Sequence, residues 1–239
     1  MITPKNILLI VAMHDEATPI IDKLKLKNKG KVHHRLPMVL FSATYKKSTI
    51  NLILNGKSNK HFVDHIGSQA ATLSTQIGID ELSPELIINI GTAGGFNSDS
   101  AKIGDVYLSY PCVCFHDRRI NLPGFYEYGI GYYPCIPCGD IAKTLGLKTG
   151  IITTGNSLDY TQEDLEMMRK YNGVVKDMEA AAVAWVAYEN NVPFLAIKAI
   201  TDMVDGDKPT EEEFVKNLGL ASKNLADQTL KVLNMLLKH

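Results

Sequence analysis

Three short apolar runs constrain the fold of this chain more than any other feature: NILLIVA (6–12), ELIINIG (85–91) and VPFLAIKAI (192–200). The first two read as buried strands rich in β-formers, and the third as a continuous apolar run of the kind a strand needs when both its faces are covered. Segments with helical spacing lie between them. Ile20, Ile21 and Leu24 follow the first run, about His61 to Ile77 reads as a helix, and an alanine-rich helix opens at Glu179. Phe214, Leu218, Ala221, Leu225 and Val232 form one stripe near the C-terminus, behind a capping box of Thr210 and Glu213. Strands alternating with helices predict a largely parallel or mixed sheet with helices on both faces. No repeat, low-complexity tract or linker divides the chain, so residues 1–239 are expected to form one α/β domain.

The remaining segments fill in this plan. MVLFSATY and TINLILN flank Lys46, Lys47 and Ser48 and read as a hairpin, while GTAGG reads as a turn at the end of the second run. Residues 103–114 look extended, LKTGIITTG is a further strand, and Thr161 with Glu163 and Asp164 starts a helix. The stretch 115–138, rich in Pro, Gly and Tyr, reads as the longest loop, and loops of that length are usually functional.

Several function classes fall away. Lys+Arg number 25 against 26 Asp+Glu, and neither sign forms a long block, which argues against a nucleic-acid or membrane-surface protein. The first apolar run is too short to span a membrane and is interrupted by His14, Asp15 and Glu16 before any cleavage site, so a cytoplasmic protein is expected. Cys112, Cys114, Cys135 and Cys138 could be spaced as metal knuckles, but four reduced, partly buried thiols explain them better, and no metal or cofactor is expected. NGKS (55–58) lacks the earlier glycine of a nucleotide-triphosphate loop, and GTAGG lacks the spacing of a dinucleotide fold.

Three carboxylates carry the functional signal. Glu16 follows the first run by four residues, Asp202 follows the third by two, and Glu179 opens the alanine-rich helix. Each alone reads as a helix cap or a solvated loop residue. Strand ends in a parallel sheet gather along one edge, however, where open α/β sheets bind ligands, so the three could converge on one cleft. The glycines of GTAGG bring backbone close to something at the same edge, as a tight turn or as a ligand cradle.

At this point the chain resembles a known family. AMHDEA, INIGTAGGF, VKDMEAAAVAWVA and KAITDMVDGDKPTEEEF, in this order, resemble segments of the 5′-methylthioadenosine/S-adenosylhomocysteine nucleosidases of the purine nucleoside phosphorylase superfamily. FHDRRI, TTGNSLD and VDGDKPTEEEF are similar to the plant-type members in particular. The resemblance implies a single-domain, three-layer α/β fold, with a mixed twisted central sheet flanked by helices. It implies hydrolysis of the N-glycosidic bond of methylthioadenosine to adenine and a 5-thioribose product, in methionine salvage, and leaves S-adenosylhomocysteine open as a second substrate. By the same resemblance Glu16 is the base that activates water, and Asp202 is the acid at adenine N7. Glu179 binds the ribose hydroxyls with Met178 against the sugar, Thr92, Ala93 and Gly94 line the sugar and water site, and Ser157 and Leu158 meet the adenine edge. The implied partners are a small nucleoside and a second copy of the chain, with part of 115–138 closing the neighbour's 5′ pocket.

Two departures bear on specificity. Leu158 stands where bacterial members stack a phenylalanine on adenine, and TEEE (210–213) stands where they place an aromatic over the 5′-alkylthio group. Two other readings stay open: a phosphorylase using phosphate in place of water, and a storage protein of the same family without activity.

Overall fold

The computed structural model describes residues 3–238. The chain runs β1 (Asn6–Val11), α1 (His14–Leu24), β2 (Lys27–Lys31), β3 (Val39–Tyr45), β4 (Ser48–Leu54), α2 (Ser68–Leu82) and β5 (Leu86–Gly95). It continues through β6 (Val106–Phe115), α3 (Phe125–Ile130), β7 (Tyr133–Pro134), α4 (Gly139–Leu145), β8 (Lys148–Thr154) and α5 (Gln162–Lys170). It ends with β9 (Gly173–Asp177), α6 (Ala180–Glu189), β10 (Phe194–Met203) and α7 (Thr210–Leu236).

The three apolar runs are β1, β5 and β10, parallel neighbours with β5 in the middle. Alternation along β1 explains the unbroken hydrophobicity, because successive side chains enter different cores. Ile7, Leu9 and Val11 pack with Ala17 and Ile20 of α1 and Leu225 and Leu233 of α7. Leu8 and Ile10 pack with Ala71 of α2 and the alanines of α6. Two helical layers thus sandwich the sheet, and each buried Leu or Ile side chain contributes ~1.5–3 kcal/mol. The sheet is mixed: β1–β4, β6–β8 and β8–β9 are also parallel, whereas β3–β4 is the expected antiparallel hairpin. Its far end closes on itself, because β10 pairs with both β5 and β6 while β5, β9, β8 and β6 complete the ring. No helix among the described residues is long and apolar enough to cross a membrane.

Several local expectations change. The helix expected from His61 starts only at Ser68, after Gly67 with φ 89°. Phe62, Val63 and Ile66 have helical spacing but lie on an exposed connecting segment. GTAGG is not a turn, since β5 stays paired to β10 through Gly94 opposite Asp202 and Gly95 opposite Met203. Its glycines are needed for room: a Cβ on Gly91 would lie 3.1 Å from Lys198 Nζ, and one on Gly94 would lie 2.7 Å from Asp202 Oδ2. The 115–138 loop contains α3 and β7. The capping box at Thr210 does not form; Pro209 precedes the helix, and Glu213 Oε2 accepts the Met203 N–H at 3.0 Å. The helix expected from Thr161 does start there, and a capping box of Thr161 and Asp164 closes its first turn.

Candidate active site

A cavity of about 540 Å³ opens where β1, β5, β9 and β10 end. Glu16, Glu179 and Asp202, distant in sequence, all line it, as do Met178, Thr92, Ala93, Gly94 and Leu158. Ser157 does not. Its side chain is exposed, and only its carbonyl takes part, accepting from Lys176 Nζ at 2.7 Å.

Glu16 occupies the first turn of α1, where an acidic group is favoured by the helix dipole. One oxygen does the ordinary capping work, accepting the Met13 N–H at 3.2 Å. The other accepts both the Thr92 N–H and the Thr92 hydroxyl at 2.7 Å, which aims the carboxylate across the end of β5. Burial pushes its pKa up, opposed by the Thr92 hydroxyl and then by the Lys198 ammonium.

Glu179 stands at the N-cap of α6 but does not cap it. That task falls to Asp177, whose Oδ2 accepts the N–H groups of Glu179 (3.2 Å) and Ala180 (2.8 Å), and to Thr154, whose hydroxyl accepts the Ala181 N–H at 2.8 Å. Glu179 is thereby free to face the cavity, where Oε1 accepts the Gly67 N–H at 2.7 Å. Burial pushes its pKa up to about 7; the ammonium of Lys198, 4.0 Å away, pulls the other way.

Lys198 is fully buried beneath these carboxylates, with Nζ 2.7 Å from Asp177 Oδ2. Burial alone would discharge it, but Asp177, Glu179 and Glu16 together more than offset this and raise its pKa. Asp177 responds oppositely: burial resists its charge, while Lys198 and the Thr154 hydroxyl, at 2.6 Å, hold its pKa down. Two carboxylates two residues apart therefore differ in kind, one locked as an anion and the other poised near neutrality.

Asp202, 4% exposed, lies near the end of β10. Burial raises its pKa against the Thr201 hydroxyl, 2.7 Å from Oδ1, and the nearby Lys176 ammonium. Lys176 is itself buried with a lowered pKa, and it also donates to the Leu158 carbonyl at 2.9 Å, tying the 157–158 backbone to β9. Two carboxyl groups in different settings thus share the cavity, Asp202 beside a hydroxyl and an ammonium and Glu16 held by the donors of Thr92 and Met13, and general acid–base chemistry uses such pairs.

Sequence reasoning missed Lys198, Asp177 and Lys176. A signal was present, because a lysine inside a strand covered on both faces requires a carboxylate partner. The rim was missed as well: Lys57, Phe62, Val63, Asp64 and Ile66 on the segment before α2, and Phe214, half-buried on α7. Phe214 follows directly on TEEE, so an aromatic does reach the cavity despite the acidic stretch.

Arg118 and Arg119 stand elsewhere. Arg119 binds Asp164 Oδ1 at 2.5 Å and the His116 carbonyl at 3.0 Å, and Arg118 lies over the rings of Phe115 and Tyr128. All four cysteines are free thiols, and no group of three or more His, Cys, Asp or Glu among the described residues could hold a metal ion.

Residues 6–234 match the sequence model of the phosphorylase superfamily. A 5′-methylthioadenosine/S-adenosylhomocysteine nucleosidase of Arabidopsis thaliana is 40% identical over 233 residues, 97% of this chain and 91% of that protein. A 5′-methylthioadenosine nucleosidase of the same plant is 39% identical over 233 residues, 97% of this chain and 87% of that protein. The apo structure of an Arabidopsis thaliana 5′-methylthioadenosine nucleosidase superposes with a TM-score of 0.95 at 39% identity, covering 98% of this chain and 96% of that one.

Proposed function

The chain belongs to the phosphorylase superfamily and, within it, to the 5′-methylthioadenosine/S-adenosylhomocysteine nucleosidases, and from that premise we propose how its own residues divide the reaction. The enzyme is an N-glycosyl hydrolase that splits methylthioadenosine into adenine and the 5-thioribose product. Breaking this bond leaves positive charge on the sugar and negative charge on the departing base, so a site must supply a proton to one and electrons to the other.

Asp202 is the acid. It lines the cavity near the end of β10, and burial favours its protonated form, the form that can pass a proton to adenine N7, help of a kind worth ~10²- to 10⁴-fold in rate. Glu16 is the base: Thr92 holds one oxygen, and the carboxylate takes a proton from water while facing the developing oxocarbenium. Glu179 accepts from the ribose diol, with Met178 against the sugar and Thr92, Ala93 and Gly94 along its path. Leu158 packs against the base, and the 157–158 backbone, held by Lys176, meets its edge.

The observation that carries this reading is the convergence of Glu16, Glu179 and Asp202 on one cavity. Water is preferred to phosphate because no arginine among the described residues lines the cavity, and the Glu16 carboxylate held beside Thr92, where the nucleophile would sit, repels a dianion. Adenine release from methylthioadenosine, followed with and without phosphate, tests it: equal rates are expected, a strict need for phosphate would make the protein a phosphorylase, and no release at all would leave the storage reading.

A homodimer completes the proposal. Leu122, Phe125 and Tyr128 in the 115–138 stretch are 59%, 54% and 51% exposed, the apolar surface a second copy would cover. Sedimentation should give twice the chain mass, and an active monomer would remove this part. The four free thiols suit a reducing compartment such as the cytosol.

A further inference from the structure

The rim beside Met13 and Ile66 is formed by residues 57–66, which fold back on themselves between β4 and α2. Lys57 bridges Asp64 across the two limbs, the Ser58 N–H donates to the Val63 carbonyl at 2.9 Å, and the His65 N–H to the Gly56 carbonyl at 2.8 Å. This pairing sets a lysine and an aspartate next to each other, and both line the cavity. The other lining residues of the segment, Phe62, Val63 and Ile66, are apolar.

Asp64 is fixed from the side. His14 donates its backbone N–H to Oδ2 at 3.2 Å and sets Nδ1 2.5 Å from Oδ1, while the carboxylate stays 14% exposed. Lys57 makes no ion pair among the described residues, and its side chain is exposed. Capping of α1 accounts for Asp64 alone, but not for an exposed lysine set opposite it in the backbone pairing, on a segment whose other cavity-lining residues are apolar. A cation and an anion so placed are the two partners a zwitterion requires.

We propose that Lys57 and Asp64 recognise the amino-acid tail of adenosyl thioethers, Lys57 Nζ meeting the α-carboxylate and Asp64 the α-ammonium. The pair then sets the preference for S-adenosylhomocysteine relative to methylthioadenosine. This rests on the nucleosidase reading above, and it concerns only the tail, since methylthioadenosine presents no charge to the rim.

The test is the ratio of kcat/KM for S-adenosylhomocysteine to that for methylthioadenosine, measured by adenine release for the wild type, Lys57→Met and Asp64→Asn. A charge pair with one exposed and one largely covered member predicts a ratio lowered about fivefold in each variant, through KM, with salt lowering the wild-type ratio in the same direction. A thioether analogue bearing the carboxylate without the ammonium should respond to Lys57→Met and be indifferent to Asp64→Asn. The proposal is overturned if the ratio moves by less than about twofold in both variants, if both substrates decline together, or if the wild type cleaves methylthioadenosine alone. A wild type that releases adenine from neither substrate would instead overturn the nucleosidase reading itself.

Discussion

The floor and the rim of the cavity follow opposite rules. Glu16, Asp177, Lys198 and Asp202 on the floor are at most 4% exposed and sit in sheet strands or in a first helical turn, each with a short polar partner. On the rim, Phe62, Val63 and Leu158 are 79%, 60% and 40% exposed and belong to connecting segments. Groups on the floor are positioned by sheet ladders, so a small displacement there costs rate. Rim groups can change with little cost to the fold, and they decide which substrates enter.

Substitutions can break or sharpen this contrast. The largest effects belong to the floor: Asp202→Asn and Glu16→Gln should each lower kcat by ~10²- to 10⁴-fold in an adenine-release assay, with the circular dichroism spectrum unchanged. Gly94→Ala comes next. Its new Cβ would press within 2.7 Å of Asp202 Oδ2 and 2.9 Å of Val204 Cγ2. Displacing the acid should cost about 10²-fold in kcat, and a fully active variant would mean that Asp202 need not be held where it stands.

Glu179→Gln should lower kcat/KM by roughly 10- to 100-fold, the worth of a hydrogen bond to a charged acceptor. The same variant tests the electrostatics through stability. Glu179 ordinarily titrates near 4.5 but reaches about 7 in the fold. Between those values the native state binds a proton that the unfolded chain has released, so stability falls as pH rises from 4.5 to 7 and levels off above. Thermal melts should find Glu179→Gln gaining on the wild type across that window. A difference in Tm that is flat with pH would contradict a burial-shifted carboxyl.

The smallest effect belongs to the rim. Phe214→Ala should raise KM for methylthioadenosine by about fivefold and leave kcat nearly unchanged, since apolar pocket contacts are worth a modest factor. A fall in kcat matching that of Gly94→Ala would dissolve the distinction between the two regions.

What the sequence made legible follows the same division. β1, β5 and β10 were readable because both their faces are apolar, Glu16 and Asp202 because they follow the first and third of the apolar runs, and Glu179 because it opens the alanine-rich helix. β9 was not readable, since two of its five residues, Lys176 and Asp177, face the cavity and give the strand a polar signature. β2, KNKGK, is exposed at every position and looks like a loop. GTAGG was misread because glycine signals turns, whereas here it clears space for Lys198 and Asp202. The rim escaped for a related reason: Phe62, Val63 and Ile66 imitate a helix face, and their contribution depends on a fold-back that pairs Lys57 with Asp64.

The ring formed by β5, β9, β8, β6 and β10 leaves those strands no free margin. Peeling any one of them away would tear two seams at once, so breathing motions that admit or release a guest should be confined to the lips of the cleft. Amide exchange ought to be slowest along β5 and β10 and fastest over 57–66, which makes entry and departure a matter of loops while the catalytic bed stays still.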